Sequence, residues 1–446
     1  MNPLKVRALY ESRVQQSNGR LRFVNELRNG LGLCDKNGSD HRDYAGNPRL
    51  KNPLIKPEQF SLQELAEGII GPSWRNLFNP DSKSMGAYTR AASLVASSNP
   101  GSRRALLEST GVGLDPTAFL NVNTFTAVVG GLIEVKIMEA FQNPALIADT
   151  LMPAEPTRLN GQKLIGTQLI GDRAKKRLPG EAHTRAQFGE RWIETPETRE
   201  NALAVDVLKE TVFFDLTGQL MAVAANVGTE LAYRKELEVI DTFIGVTNSF
   251  KYNGTSYNTY QTSRTLGYIN DHSNQLTDWT SIQATMLLFM RQQDPHTAKR
   301  ILIQPNTILV NPAKIATANL ILSATQTERR TGAGASPAQT TSNPLNISVS
   351  PGAPYSGINV ISSPLIEQRC TASDGLNLSQ SNADEYWWAF EAGKSFRYMQ
   401  NYPLTVVQAA PNQYEMLDKG IVATYFANER GIPSVWSPWH IVRNKN

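Results

Sequence analysis

Apolar residues recur at two different spacings along this chain, and the switches between them mark out its elements. Ser61 precedes Leu62, Leu65, Ile69 and Ile70, with Glu64 three positions after it. This capping-box spacing predicts a short helix that Gly71-Pro72 ends. From Pro116 onward, Phe119, Val122, Phe125, Val129, Leu132, Ile133, Val135, Ile137 and Phe141 follow at three- and four-residue steps, and Asn143-Pro144 stops them. That helix is apolar on more than one side, so it packs on two partners or is buried. A second long helix is predicted after Asp215, through Leu216, Leu220, Val223, Val227, Leu231, Leu237, Ile240 and Ile244 to Gly245. At about 29 residues, or roughly 44 Å, it exceeds the usual three to four turns. Asp278 caps a helix using Ile282, Met286, Phe289 and Met290, and Pro312 opens another through Ile315, Ala318 and Leu322.

Elsewhere the period shortens to two. Residues 162–171 suit a strand, and a second extended run goes from Phe188 through Trp192-Ile193-Glu194-Thr195 to Val205 and Val207. The polar stretch between them turns at Pro179-Gly180. Together these predict a long, charged hairpin over 154–206 with few core residues. Ile301-Leu302-Ile303 and Ile308-Leu309-Val310 read as short buried strands. Further strands are predicted at 358–361, 387–391 and 404–409. Ile421, Ala423, Tyr425 and Ala427, then Val435 and Ile441, predict a pair of strands around Glu429-Arg430-Gly431. Residues 323–345 are low in complexity and read as a mobile loop. Residues 1–60 show little period. No internal repeat is found.

Composition narrows the class. Of 446 residues, 40% are hydrophobic and 19% charged, which is enough to bury a sizeable core and excludes global disorder. Two cysteines, Cys34 and Cys370, exclude a disulfide framework and multi-cysteine metal ribbons. The first residues carry no secretory apolar segment, and the longest apolar run is nine residues, Phe125 to Ile133, against about 20 for a membrane span. A soluble, non-secreted protein is expected. The net charge of +4 is split as +6 on residues 1–110 and −2 on the rest. The early basic residues are dispersed, unlike a nucleic-acid-binding arm.

Catalytic motifs are missing or incomplete. Glu391-Ala392-Gly393-Lys394-Ser395 ends like a phosphate loop, but Trp388 stands where such a loop needs glycine. Gly332-Ala333-Gly334 lacks a preceding strand. His183, His272, His296 and His440 read as surface or satisfied residues rather than bases. Glu236 and Glu238, two apart on a helix, do not face each other. Trp387-Trp388 and Trp436-Ser437-Pro438-Trp439 read as core or interface packing. No cofactor, metal ligand or catalytic residue is expected.

The order of an arm, an apolar helix, a charged hairpin, a long helix, an α/β stretch and closing strands resembles the major capsid proteins of tailed bacteriophages. That fold is shared with encapsulins and the herpesvirus capsid floor. Ile308-Leu309-Val310-Asn311-Pro312-Ala313 before a helix is similar to a segment of the family's axial domain. The resemblance implies an α+β fold with an N-terminal arm or peripheral segment (1–115) and a helix leading to the extended loop (116–153). It implies the extended loop itself (154–206), a peripheral domain with the spine helix (207–260), an axial domain (261–400) and returning strands (401–446). It implies a structural shell protein, not an enzyme: hexamers and pentamers closing into an icosahedral container for double-stranded DNA, in a virion assembled in the host cytoplasm. Implied partners are copies of itself, portal, scaffold or decoration proteins, and packaged DNA without sequence specificity; no membrane is involved. On the loop, Arg173, Lys175, Lys176, Arg177 and Arg185 are the expected intersubunit contacts. The readings set beside this are an encapsulin-like compartment and a multidomain enzyme with an unrecognised site.

Overall fold

The structure is a computed structural model that describes residues 19–35, 39–41, 50–51, 61–70, 116–142, 146–170, 179, 187–214, 216–294, 300–323, 326–329, 339–342, 358–409 and 419–445. In chain order its elements begin with α1 (Gly19–Gly30), α2 (Leu62–Ile69), α3 (Pro116–Phe141) and α4 (Ala148–Leu151). Next come β1 (Ala154–Pro156), β2 (Lys163–Ile170), β3 (Gln187–Glu194), β4 (Arg199–Leu208), α5 (Lys209–Phe213) and α6 (Thr217–Ile244). Then follow β5 (Phe250–Tyr252), β6 (Thr255–Tyr257), β7 (Asp271–Ser273), α7 (Trp279–Arg291), β8 (Thr307–Val310) and α8 (Ile315–Ser323). After these lie β9 (Gln326–Arg329), β10 (Gln339–Ser342), β11 (Asn359–Ser362), α9 (Pro364–Thr371) and α10 (Gln380–Ala383). The chain closes with β12 (Trp387–Phe390), β13 (Phe396–Ala409), β14 (Ile421–Val435) and β15 (Ile441–Lys445). The α+β class agrees with the sequence.

The chain divides into two compact units. The first holds residues 1–144, 200–234 and 402–430, and the second 145–199, 235–401 and 431–446. In the first, Phe125, Val129, Leu132 and Ile133 of α3 pack with Leu220, Ala224, Val227 and Leu231 of α6. Leu62, Leu65 and Ile69 of α2 join them, as do Val205, Leu404 and Tyr425 from the strands. α3 is buried on several sides, as its pattern requires. Two glycines permit close approaches here. A Cβ on Gly228 would lie 2.3 Å from the carbonyl oxygen of Ile137, so only glycine lets α6 cross α3 at this point. A Cβ on Gly130 would lie 2.8 Å from the Tyr425 ring, whose hydroxyl donates to the Thr126 carbonyl at 2.6 Å. The apolar stripe of α6 departs from expectation at one place: Val223 is 48% exposed, and Ala224 beside it is buried.

The second unit is built on a five-stranded sheet ordered β11-β8-β12-β15-β7. Its strands alternate strictly. Leu309, Trp388, Phe390 and Ile441 face one cluster with Phe243, Phe396 and Tyr268. Ile308, Val310, Trp387, Ala389 and Val442 face another with Ile282, Met286 and Phe289 of α7 and Ala318 of α8. The period-two side-chain geometry thus gives the sheet two apolar faces. Both tryptophans of β12 are wholly buried, as the core reading expected.

Helix starts follow the sequence closely. The Ser61 side chain accepts from the Glu64 N–H, and Asp278 Oδ1 accepts from Thr280 N at 2.9 Å. Asn311 caps a 3-10 turn with Pro312 at its start, which leads into α8. The expected cap Asp215 lies outside the described residues.

Four expectations need correction. Residues 301–303 form no strand: Ile303 is buried but Leu302 is 95% exposed, and Ile301 N donates only to Gln292 O. The run 188–207 is two strands, β3 and β4, in two different sheets, with Pro196, which has no N–H to donate, in the gap between them. Within 323–345, β9 and β10 pair as an antiparallel ribbon; residues 331–338 between them lie outside the described residues. Finally, 421–435 is one strand that runs straight through Gly431. That glycine makes no turn; its missing Cβ leaves room for the Tyr398 ring, whose Cε1 would be 2.4 Å away.

Candidate assembly elements

The hairpin stem is a two-stranded ribbon. β2 and β3 pair antiparallel over eight residues, from Lys163 with Glu194 to Ile170 with Gln187. At roughly 3.3 Å per residue each strand runs about 26 Å. A third strand, β5, touches this ribbon only at Ile193 and Glu194. Beyond that root, among the described residues, no further strand flanks it. An isolated two-stranded ribbon is marginal in water, so the root carries the fastening.

That root is dense in side-chain hydrogen bonds. Thr195 Oγ1 accepts from Gln162 N at 2.7 Å, and Thr195 N donates to Gln162 O at 2.9 Å. Asn160 Oδ1 accepts from Thr198 N and Thr198 Oγ1. Asn401 Nδ2 donates to the carbonyls of Thr157 and Leu159. Asn253 Oδ1 accepts from Trp192 N, while Asn253 N donates back to Trp192 O. Lys163 Nζ sits 5.1 Å from the Trp192 ring centre and 3.9 Å from Glu194 Oε1. The five predicted contact residues, Arg173, Lys175, Lys176, Arg177 and Arg185, lie outside the described residues. The structure therefore gives the frame that would carry them, not their positions.

The long helix holds two buried charges that the pattern did not reveal. Glu236 is wholly buried and accepts from the N–H groups of Ile147 (3.0 Å) and Ala148 (2.7 Å), at the start of α4. Burial pushes its carboxyl up from the usual range, and those two N–H donors pull it back. Neighbouring Lys235 pairs with Asp149 at 2.7 Å and lies over the Tyr398 ring. A local signal was available only in hindsight: Lys235-Glu236 interrupts the apolar stripe where the helix passes from the first unit to the second.

Of the residues weighed for chemistry, His183, His296 and Gly332-Ala333-Gly334 lie outside the described residues, and those around β12 are tied into structure. Lys394 pairs with Glu391 at 2.6 Å, and Trp388 lies inside β12, so no phosphate-wrapping loop exists there. His440 Nδ1 is 2.6 Å from Ser437 Oγ, and its Nε2 is 3.6 Å from Glu391 Oε2. This is not a hydrolytic relay. The Ser437–His440 contact closes the 3-10 turn Pro438–His440, and the carboxylate is beyond hydrogen-bond distance of the imidazole. Burial lowers the His440 pKa from 6.5; Glu391 opposes that and Lys394 adds to it. Among the described residues, no group of three or more His, Cys, Asp or Glu is placed to hold a metal.

A family model described as phage capsid protein matches residues 194–431, from the root of the hairpin through the long helix α6 to β14. The chain belongs to the phage capsid protein family. It is a structural capsid protein, a component of a virion, as the element order suggested. No curated protein matches the chain. Among solved structures it is similar to a Mycobacterium phage Ogopogo protein, at 13% identity over 68% of this chain and 93% of that one, TM-score 0.37. It is similar to a capsid chain of the cyanophage P-SCSP1u, at 10% identity over 68% and 88%, TM-score 0.40. It is also similar to the SrpI encapsulin of Synechococcus elongatus, at 11% identity over 68% and 87%, TM-score 0.39.

Proposed function

We propose that this capsid protein closes as hexamers and pentamers into an icosahedral shell around double-stranded DNA, and that the 154–206 hairpin is its principal intersubunit arm. The shell forms in the host cytoplasm, with portal, scaffold or decoration proteins as further partners, and acts without catalysis. The divisions 1–115, 116–153, 154–206, 207–260, 261–400 and 401–446 are its working parts in this reading. The observation that carries it is a ribbon that, among the described residues, is flanked by another strand only at its root. Among the described residues the stem has no third strand beyond Ile193, and the tip sequence offers almost no apolar residue to a subunit core. Arg173, Lys175, Lys176, Arg177 and Arg185 would then steer docking onto an acidic neighbour and set its register.

Replacing 172–187 with a short glycine-containing turn tests this. The expected product is a folded, soluble subunit with a near-normal Tm that stops at monomers or capsomers in size exclusion and negative-stain microscopy. Normal closed shells would reduce the hairpin to a surface flap. Unfolding would make the segment part of the subunit core.

A further inference from the structure

An asparagine followed by glycine is chemically labile, because no Cβ on the glycine shields its N–H from the asparagine side-chain carbonyl. The chain has such steps at Asn18, Asn29, Asn37, Asn160 and Asn253. Asn18 and Asn37 lie outside the described residues, and the structure treats the other three differently. Asn29-Gly30 ends α1. Helical pairing commits the Gly30 N–H, and Asn29 Nδ2 donates to Cys34 O at 2.8 Å. Asn253-Gly254 is the loop between β5 and β6, closed by the Tyr252–Thr255 pair. Asn253 is held there at φ +49°, with its N–H bonded to Trp192 O, so turning its backbone would break the loop.

Asn160-Gly161, at the hairpin root, is open. Both residues are exposed, and 158–161 belongs to no strand or helix. Among the described residues, neither the Gly161 N–H nor Asn160 Nδ2 meets a hydrogen-bond acceptor. A Cβ on Gly161 would find nothing nearer than Thr195 O at 3.7 Å, so the backbone there has room to turn. Asn160 Oδ1, by contrast, is engaged twice. It accepts from Thr198 N at 2.9 Å and from Thr198 Oγ1 at 3.1 Å. A backbone N–H can only donate, which identifies this atom as the amide oxygen. Thr198 is buried, so its two donors are fixed in place.

We propose that Asn160 is a site of spontaneous deamidation, activated by Thr198. Hydroxide takes the Gly161 amide proton, and the nitrogen attacks Asn160 Cγ to close a succinimide ring. Negative charge develops on Oδ1, where both Thr198 donors already point, as in an oxyanion hole. The Cγ–Nδ2 bond breaks, and Nδ2 leaves as ammonia with a proton from water. Water then opens the ring at either carbonyl, giving aspartate or isoaspartate; nothing is oxidised or reduced. Isoaspartate carries the main chain through its β-carbon. That draws the side group off Thr198 and loosens the clasp between the 157–162 loop and the start of β4. The reaction belongs to the single subunit and stands apart from the assembly reading.

Ageing the full chain at mildly alkaline pH tests it, with peptide mapping by mass spectrometry and isoaspartate read by methyltransferase labelling. In the folded chain Asn160 should convert roughly tenfold faster than Asn29 or Asn253, a smaller gain than a buried oxyanion donor gives because the step faces water. In urea, where Thr198 no longer aligns, the three rates should converge. Equal rates in the folded chain, or an Asn160 lead that survives in urea, would overturn the proposal. Thr198→Ala removes the Oγ1 donor and should slow conversion several-fold, while Thr198→Ser should restore it. Faster conversion in Thr198→Ala would show that Thr198 shields Asn160 and would overturn its activating role.

Discussion

At Glu236 a carboxyl group is out of water, and what holds it there is local. Its two oxygens satisfy the Ile147 and Ala148 N–H groups, which would otherwise be open donors at a helix start. Glu236→Ala is therefore expected to lower subunit stability by about 1–3 kcal/mol, read by chemical denaturation, because those donors lose their acceptor. Glu236→Gln retains one acceptor oxygen and should cost less. His440 sets a pH dependence instead. Its folded pKa is depressed below 6.5, chiefly by burial. As pH falls below about 6.5 the unfolded chain takes up the proton before the folded one does, so stability falls with pH in that range. The Tm of the wild-type subunit should drop more between pH 7 and 5 than that of His440→Gln. Equal slopes would show that His440 is not the source.

Elements form where period and caps agree. α6 closes on Gly245, at φ +88°, as its sequence required, and the α3 crossing depends on Gly228. Gly228→Ala pushes a methyl into the Ile137 carbonyl and should cost about 1–3 kcal/mol, seen as a lower Tm with the helical signal retained below it. α2, α3, α6, α7 and the β2–β3 hairpin were all legible because each has a run of regular spacing ended by a cap, glycine or proline. What was not legible depends on partners far away in the chain. Gly431 reads as a turn until Tyr398 is seen lying against it. Residues 301–303 are as apolar as β8, but they have no ladder to join, so Leu302 faces water. Val223 and Ala224 exchange roles because a helix turns 100° per residue, and the crowded crossing takes the smaller side chain. Lys235 and Glu236 were invisible for the same reason: Asp149 and the α4 start lie more than 80 positions away.

For the whole molecule, charge matters less by its sum than by its placement. A net +4 on 446 residues is small, but four of its cations, Arg173, Lys175, Lys176 and Arg177, crowd into five positions of the hairpin tip. On one subunit they repel each other. Across an interface, each exposed ion pair adds at most about 1 kcal/mol. In the proposed shell, closure repeats that small term at every subunit, so a modest change per contact is expected to shift the concentration at which shells form. Salt acts on this term directly, since the screening length falls from about 10 Å at 0.1 M to about 3 Å at 1 M. The protein concentration for half-assembly, followed by light scattering, should therefore rise from low to high salt. Apolar burial does not weaken with simple screening, so part of the assembly drive persists at 1 M. Lys175→Gln with Lys176→Gln should raise the threshold at low salt and flatten its salt dependence, leaving the Tm of the free subunit unchanged. If the double variant keeps the wild-type salt slope, the cations that drive docking lie elsewhere on the subunit, and the hairpin tip makes contacts of shape alone.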